Sequence, residues 1–201
     1  MWVVKLGGSL LDYSGLSDWL EALANAPRPV VIVVGGGPLA DAVRNAQKQW
    51  NFTDSVAHHM GLFAMEQNAS FLASLDSRVD PCADEYSIQK SLDSGKVPVW
   101  LPVKMVMAAQ DIVQDWTMTS DSLSVWFANQ LSAAGMLLVK SCSIPSGRII
   151  ASQLSNHEVV DQAFPAMAAQ ASYPIRIMQR ENYLQLDDLL TGRGCDALSV
   201  S

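Results

Sequence analysis

Basic residues are scarce in this 201-residue chain. It has 13 lysines and arginines against 20 aspartates and glutamates, a formal net charge of −7, and no basic block. Nucleic acid and anionic membrane surfaces are therefore poor partners, because both are bound largely by neutralising phosphates. Cysteine is nearly absent. Cys82, Cys142 and Cys195 are far apart, odd in number and form no Cys-x-x-Cys pair. That argues against a disulfide framework and a cysteine zinc site, and each is expected to be a small packing residue rather than a catalytic thiol. No apolar run approaches the roughly 20 residues that span a bilayer. No basic leader precedes a long apolar core at the N-terminus, so it does not read as a signal peptide and a cytoplasmic location is expected. Glycine/serine-rich linkers, low-complexity tracts and compositional breaks are also missing. With 49% hydrophobic and 16% charged residues, the composition is that of an ordinary globular chain. A single domain over residues 1–201, built as two lobes sharing one sheet, is the expectation.

What is present begins at once. Trp2 to Leu6 is a short apolar run with one cation, Lys5, and it runs into Gly7-Gly8-Ser9. Valine and tryptophan favour a strand, and the glycines favour a turn with bare backbone. Bare N–H groups can approach a phosphate closely, and Lys5 adds positive charge. Burying a lone ammonium is costly, so Lys5 should face a cleft or a partner. The arrangement then recurs. Leu16, Leu20 and Leu23 form an apolar helix face with Ser17 as cap. Pro29 to Val34 is a β-branched run suited to a central parallel strand. Gly35-Gly36-Gly37-Pro38 follows, with Pro38 suited to a helix start at Leu39–Gln49. Strand, glycine turn and helix thus occur twice in about forty residues, a βαβα pattern.

Further along, 54–75 reads as one long helix with Val56, Met60, Phe63, Gln67 and Phe71 on one side; Met60, Phe63, Met65 and Phe71 are expected in the core. Residues 76–85 read as a polar connection, 86–94 as a helix closed by Gly95, and 97–103 as an irregular strand; 104–109 are ambiguous. Ser120 is the expected cap of a helix whose apolar face is Leu123, Phe127 and Leu131, closed by Gly135. Met136–Lys140 is a strand, Ser141–Pro145 a loop, 158–170 a helix, 174–178 a strand, 183–190 a helix and 195–200 a last strand. The class is α/β: a three-layer α-β-α sandwich around a mainly parallel sheet. Both glycine turns would then lie on its carboxyl edge, where open α/β sheets bind ligands. Neither turn carries Gly-x-Gly-x-x-Gly or a Walker-type motif, so dinucleotide and P-loop chemistry are disfavoured. His58 and His59, adjacent on a helix, point about 100° apart and cannot chelate one ion together, so no metal site is expected.

Lys5-Leu-Gly-Gly-Ser9, Val33-Val-Gly-Gly-Gly37 and Thr119-Ser-Asp121 opening a helix, in that order, resemble the amino-acid kinase superfamily. His59-Met60, Met65-Glu66-Gln67, Trp116 and Val139-Lys-Ser141 are similar, within it, to the small kinases of methanopterin biosynthesis, which make a diphosphate from aminomethylfuran-methyl phosphate. The resemblance implies ATP with Mg2+ as donor, a small-molecule acceptor held by an N-terminal lobe (about 1–115), a nucleotide lobe (about 116–201) and a homodimer. It implies that Lys5 neutralises the transferring phosphoryl group and that Asp121 positions the catalytic lysines by ion pairing. It also implies that Gly7, Gly8, Ser9, Gly35, Gly36 and Gly37 surround the phosphates. His59, Glu66 and Trp116 are the acceptor contacts, and Ser141 and Ser143 the nucleotide contacts. Two departures stand out. Lys140-Ser-Cys-Ser-Ile144 replaces the usual Thr-Asp-Val-Asp-Gly, and no lysine occurs around Val159-Val160, where many relatives carry a second one. Lys140 would supply that charge from another backbone position. Other acceptors, such as an amino acid or an isoprenoid phosphate, and a non-catalytic anion-binding protein of this fold, remain the alternatives.

Overall fold

The computed structural model of the chain describes residues 1–144 and 149–201; of the expected loop at Ser141–Pro145, Pro145 lies outside the described residues. Seven strands form one sheet in the order β3-β4-β2-β1-β5-β6-β7. They are β1 (Trp2–Leu6), β2 (Val30–Val34), β3 (Val79–Cys82), β4 (Val97–Trp100), β5 (Gly135–Lys140), β6 (Ile175–Gln179) and β7 (Leu198–Ser199). All named pairings are parallel except β6 with β7. β1 sits between β2 and β5, so the strand order reverses beside it. A crevice opens at such a reversal, beyond the carboxyl ends of the strands. Helices are α1 (Leu16–Ala24), α2 (Gly37–Trp50), α3 (Asp54–Leu75), α4 (Glu85–Asp93), α5 (Val103–Ala108), α6 (Ser120–Gln130), α7 (Ala151–Asn156), α8 (Phe164–Ala168) and α9 (Leu186–Thr191). Among the described residues no helix is long and apolar enough to cross a membrane.

Each sheet face carries its own apolar cluster, as strand alternation requires. Val3, Val33, Met136 and Leu138 belong to one, with Leu123, Phe127 and Phe164 from the helices. Val4, Leu6, Ile32, Val34 and Val139 belong to the other, with Trp19, Leu20 and Leu23 of α1. Every residue of β1, β2 and β5 is buried, each large apolar side chain contributing about 1.5–3 kcal/mol. Lys5 pairs laterally with Val33 and Leu138, so it points to the first face. Lys140, two residues beyond Leu138, points the same way.

Several expectations need correction. Ser17 does not cap α1; Gly15 stands at that position without a side-chain bond. The connection at 76–85 contains β3, whose Pro81 is tolerated because the strand is at the sheet edge. β4 stops at Trp100 and Val103 already opens α5. Gly135 is the first residue of β5, where a side chain would lie 2.6 Å from the Trp2 ring. The expected helix at 158–170 is instead α7, ending before Glu158 in a left-handed conformation (φ 55°), then α8 with Pro165 in its first turn. The last strand is two residues long. On α3 the bounds agree, but Val56, Met60, Phe63 and Phe71 are 40–49% exposed, and of the four expected core residues only Met65 is buried.

The two glycine turns touch. A Cβ on Gly8 would lie 2.3 Å from the Gly37 nitrogen, and one on Gly35 2.7 Å from the Gly8 nitrogen. Gly37 itself has φ 52°, a region open mainly to glycine. Gly8→Ala is therefore expected to lose about 1–3 kcal/mol, since main chain must shift to admit the methyl group. Denaturant unfolding checks this; an unchanged midpoint and slope would contradict the close approach.

Candidate active site

β1, β5 and α6 bring three charges together. Lys5 Nζ lies 2.8 Å from Asp121 Oδ1, and Lys140 Nζ lies 2.7 Å from Oδ1 and 2.8 Å from Oδ2. The three side chains belong to residues only 3%, 6% and 8% exposed. Two ammonium groups share one carboxylate, leaving one net positive charge. Burial alone would raise the Asp121 pKa, but Lys140 and Lys5 outweigh it and hold the carboxyl at about 2. Burial lowers the Lys140 pKa; the charge of Lys5 adds to this and Asp121 opposes it. Asp121 also lies in the first turn of α6, where the helix dipole favours an anion.

That helix start is held from outside. Ser120 is its first residue rather than its cap; Thr119 precedes it without capping through its own side chain. The Asp161 carboxylate does this work. It accepts from the Thr119 N–H (2.9 Å), the Thr119 hydroxyl (2.8 Å), the Ser122 N–H (3.1 Å), the Phe164 N–H (3.1 Å) and the Ser122 hydroxyl. One side chain thereby satisfies orphan donors at the starts of both α6 and α8.

The glycine turns divide by the state of their N–H groups. Gly7 N–H donates to the Val139 carbonyl (3.3 Å) and Gly35 N–H to that of Leu6 (2.9 Å). Neither is therefore free for a phosphate, and the expectation of a free donor at these two positions is corrected. The N–H groups of Gly8, Gly36 and Gly37 have no acceptor among the described residues; two of them open onto helix starts, where such donors are left over. Asn68 pins the second turn from α3, donating to the carbonyls of Gly35 (2.8 Å) and Gly36 (2.9 Å). The Ser9 and Ser141 hydroxyls are 2.7 Å apart.

Two cavities meet here. One, of about 180 Å3, is lined by Gly8, Ser9 and Gly35–Gly37 together with His58, Met65, Trp116 and Met118. The second, of about 880 Å3, is lined by Asp121, Lys140, Asn156, Glu158, Val160 and Asp161. Arg44, Trp116 and Thr119 border both. The Arg44 guanidinium lies 4.4 Å over the Trp116 ring, and Trp116 Nε1 donates to Gln47 Oε1 (2.6 Å). Of the expected acceptor contacts, only Trp116 borders these cavities. His59 stacks on Phe63, 4.8 Å between centroids. Glu66 turns away and accepts from the Val103 N–H at the start of α5 (2.9 Å). Ser143 is exposed on the turn after β5. Sequence reasoning does not single out Arg44, Asn68 or Asp161, and of the adjacent histidines it favours His59 over His58 as an acceptor contact. A polar Asn68 between Met65 and Leu72 on the buried side of α3 is a readable signal; nothing local ties Asp161 to the start of α6, whose Thr119 and Ser122 donors lie about forty residues away in the chain.

Fold and relatives together define a phosphotransferase. The chain belongs to the amino acid kinase family, whose family model matches residues 1–143. It is 24% identical over 206 residues to [5-(aminomethyl)furan-3-yl]methyl phosphate kinase of Methanocaldococcus jannaschii, covering 96% of this chain and 94% of that one. It is 33% identical over 106 residues to uridylate kinase of Aeropyrum pernix, covering 48% of this chain and 47% of that protein. Among solved structures, uridylate kinase from Archaeoglobus fulgidus superposes with a TM-score of 0.73 at 16% identity, covering 100% and 99% of the two chains. UMP kinase from Ureaplasma parvum gives the same score and identity over 100% and 98%.

The pH dependence follows from Asp121. Its folded pKa of about 2 lies below the ordinary 3.8, so its contribution to stability is complete above about pH 4 and is lost as pH falls towards 2, worth roughly 2 kcal/mol. Asp121→Asn should remove that acid-sensitive component. It should also cost about 3–5 kcal/mol at neutral pH, because two buried ammonium groups lose their counter-ion. Urea unfolding of both proteins from pH 7 to pH 2 checks this. Asp161→Ala should lose about 1–3 kcal/mol, from donors left unsatisfied; an unchanged urea midpoint would contradict the clamp.

Proposed function

We propose that the chain transfers a phosphoryl group from ATP to a small phosphorylated acceptor, and that this acceptor is the aminomethylfuran-methyl phosphate of methanopterin-type cofactor synthesis. The observation that carries the reading is the buried Lys5–Asp121–Lys140 group at the carboxyl edge, beside the unpaired N–H groups of Gly8, Gly36 and Gly37. Phosphoryl transfer needs little covalent help from the protein; it needs positioning and positive charge where charge moves. Lys5 and Lys140 supply that charge, and Asp121 fixes where it sits. Lys140 acts as the second lysine, from the end of β5. Val159 and Val160, where many relatives carry one, are buried and apolar. The glycine N–H groups and Ser9 orient the phosphates, the smaller cavity takes the acceptor and the larger one the nucleotide. A site of about 300–1000 Å3 is the usual size for a drug-sized ligand, which suits a nucleotide in the larger cavity. Ser141 and Ser143, on the turn after Lys140, contact the nucleotide. The donor set suits a nucleotide–Mg2+ complex: the ammonium and N–H groups would hold phosphate oxygens, and the ion would supply further positive charge to them. Near-complete coverage of the M. jannaschii enzyme by sequence supports this acceptor over uridylate, whose kinase matches about half the chain.

Incubation with ATP-Mg2+ and separate acceptors (the furan phosphate, uridylate, amino acids, prenyl phosphates) should give ADP release dependent on the furan phosphate. ADP release with uridylate alone would move the assignment to a nucleotide acceptor, and none with any acceptor would sink the kinase reading. Lys5→Ala and Lys140→Ala should each lower turnover by about 10²-fold or more. Normal turnover in Lys140→Ala, with Lys5→Ala dead, would refute the second-lysine role.

The chain also pairs as a homodimer in this reading. Val56, Met60, Phe63, Phe71 and Leu75 make an exposed apolar stripe along α3, interrupted by Gln67. Such a stripe on one helix is self-complementary about a two-fold axis. Light scattering should give a dimer for the native chain and a monomer for Phe63→Asp/Phe71→Asp.

A further inference from the structure

His58 is the buried polar group that the roles above leave unused. It lies on the inner side of α3, 4% exposed, in the wall of the smaller cavity. Neither ring nitrogen has a hydrogen-bond partner among the described residues. After burial, the Met118 backbone is the group that acts most on the ring, followed by the Asp115 carboxylate and His59. Burial lowers the His58 pKa, which keeps the imidazole neutral. A neutral imidazole carries one donor and one acceptor. Leaving both unmet inside a protein is costly, and native structures seldom do so without a reason. Around it the wall is apolar: Leu62, Met65, Met118 and the Trp116 ring. The same cavity is also lined by the glycine turns and by Arg44, which favour an anion.

We propose that His58 determines acceptor specificity, by hydrogen-bonding a heteroatom of a small ring-bearing phosphomonoester whose phosphate lies against the glycine turns. This rests on the kinase reading for the identity of the site, and it assigns the acceptor's chemical class: anionic at one end, flat and apolar in the middle, with a hydrogen-bonding atom on or beside the ring. A phosphate ester lacking that atom would fill the cavity yet leave the imidazole unsatisfied, and sites built around a buried polar group reject such analogues strongly.

The test is binding without ATP, by calorimetry, using [5-(aminomethyl)furan-3-yl]methyl phosphate and inorganic phosphate as probes on the native chain, His58→Leu and His58→Gln. The furan phosphate should bind His58→Leu at least about tenfold more weakly, with His58→Gln recovering part of the loss. Inorganic phosphate should bind all three alike. The melting temperature of His58→Leu should hold or rise, since an unpartnered polar group is replaced by an apolar one; a fall would mark a structural role and overturn the proposal. Equal affinity of the furan phosphate for the native chain and His58→Leu, or no binding to the native chain, would overturn it too. Binding that depends on His58 without any ADP release would leave His58 standing and refute the kinase reading; normal acceptor KM in His58→Leu would do the reverse.

Discussion

One carboxylate shared by two buried ammonium groups is the constraint to which the rest of the molecule answers. Lys5 comes from β1, Lys140 from β5 and Asp121 from α6, so no local segment holds the group together. Charges this well buried persist only when geometry is tight, because the desolvation cost is several kcal/mol per ion. The sheet sets two of the three positions. Parallel pairing of β1 with β5 puts Lys5 opposite Leu138, and alternation puts Lys140 on the same face. The third position is set by Asp161, whose carboxylate holds the start of α6 by its N–H groups and hydroxyls. Asp121 therefore aligns the lysines, and Asp161 aligns Asp121.

The glycine turns answer to the same edge. Their packing is close enough that main chain would meet a methyl group at Gly8. Asn68 fixes the carbonyls of the second turn, whose three glycines line the smaller cavity. Within each turn the labour is divided. The first N–H of each closes the turn onto a neighbouring strand, and those of Gly8, Gly36 and Gly37 have no acceptor among the described residues. The two cavities share Arg44, Trp116 and Thr119, and Asp121 and Lys140 line the larger of them.

Helix α3 shows where reading by pattern succeeds and where it misleads. Its bounds are legible because 54–75 contains no proline and a single glycine, Gly61, which a helix of this length tolerates. Its inner face was not, because apolar residues line both sides. Ala57, His58, Leu62, Met65, Asn68 and Leu72 turn inward, while Met60, Phe63 and Phe71 turn out. Periodicity locates a stripe but cannot choose between two stripes. The choice also reverses the histidines: His58 meets the cavity and His59 stacks on Phe63 outside it. Glu66 was misread for a related reason, since its partner is the start of α5, a helix that local sequence left ambiguous.

The sequence by itself determined the α/β class, the two strand–glycine–helix units, the family and the three charged residues at the centre. These are local facts: apolar runs, glycines where bare backbone is needed, and single ions in apolar strands. Tertiary structure alone decided that Lys140 reaches Asp121, that Gly7 and Gly35 have no free N–H, that Asp161 caps two helices and that His58 borders the cavity. Each depends on groups far apart in the chain meeting in space. Hydrogen bonds and ion pairs are satisfied by whichever partner packing brings within reach, and sequence spacing does not encode that partner.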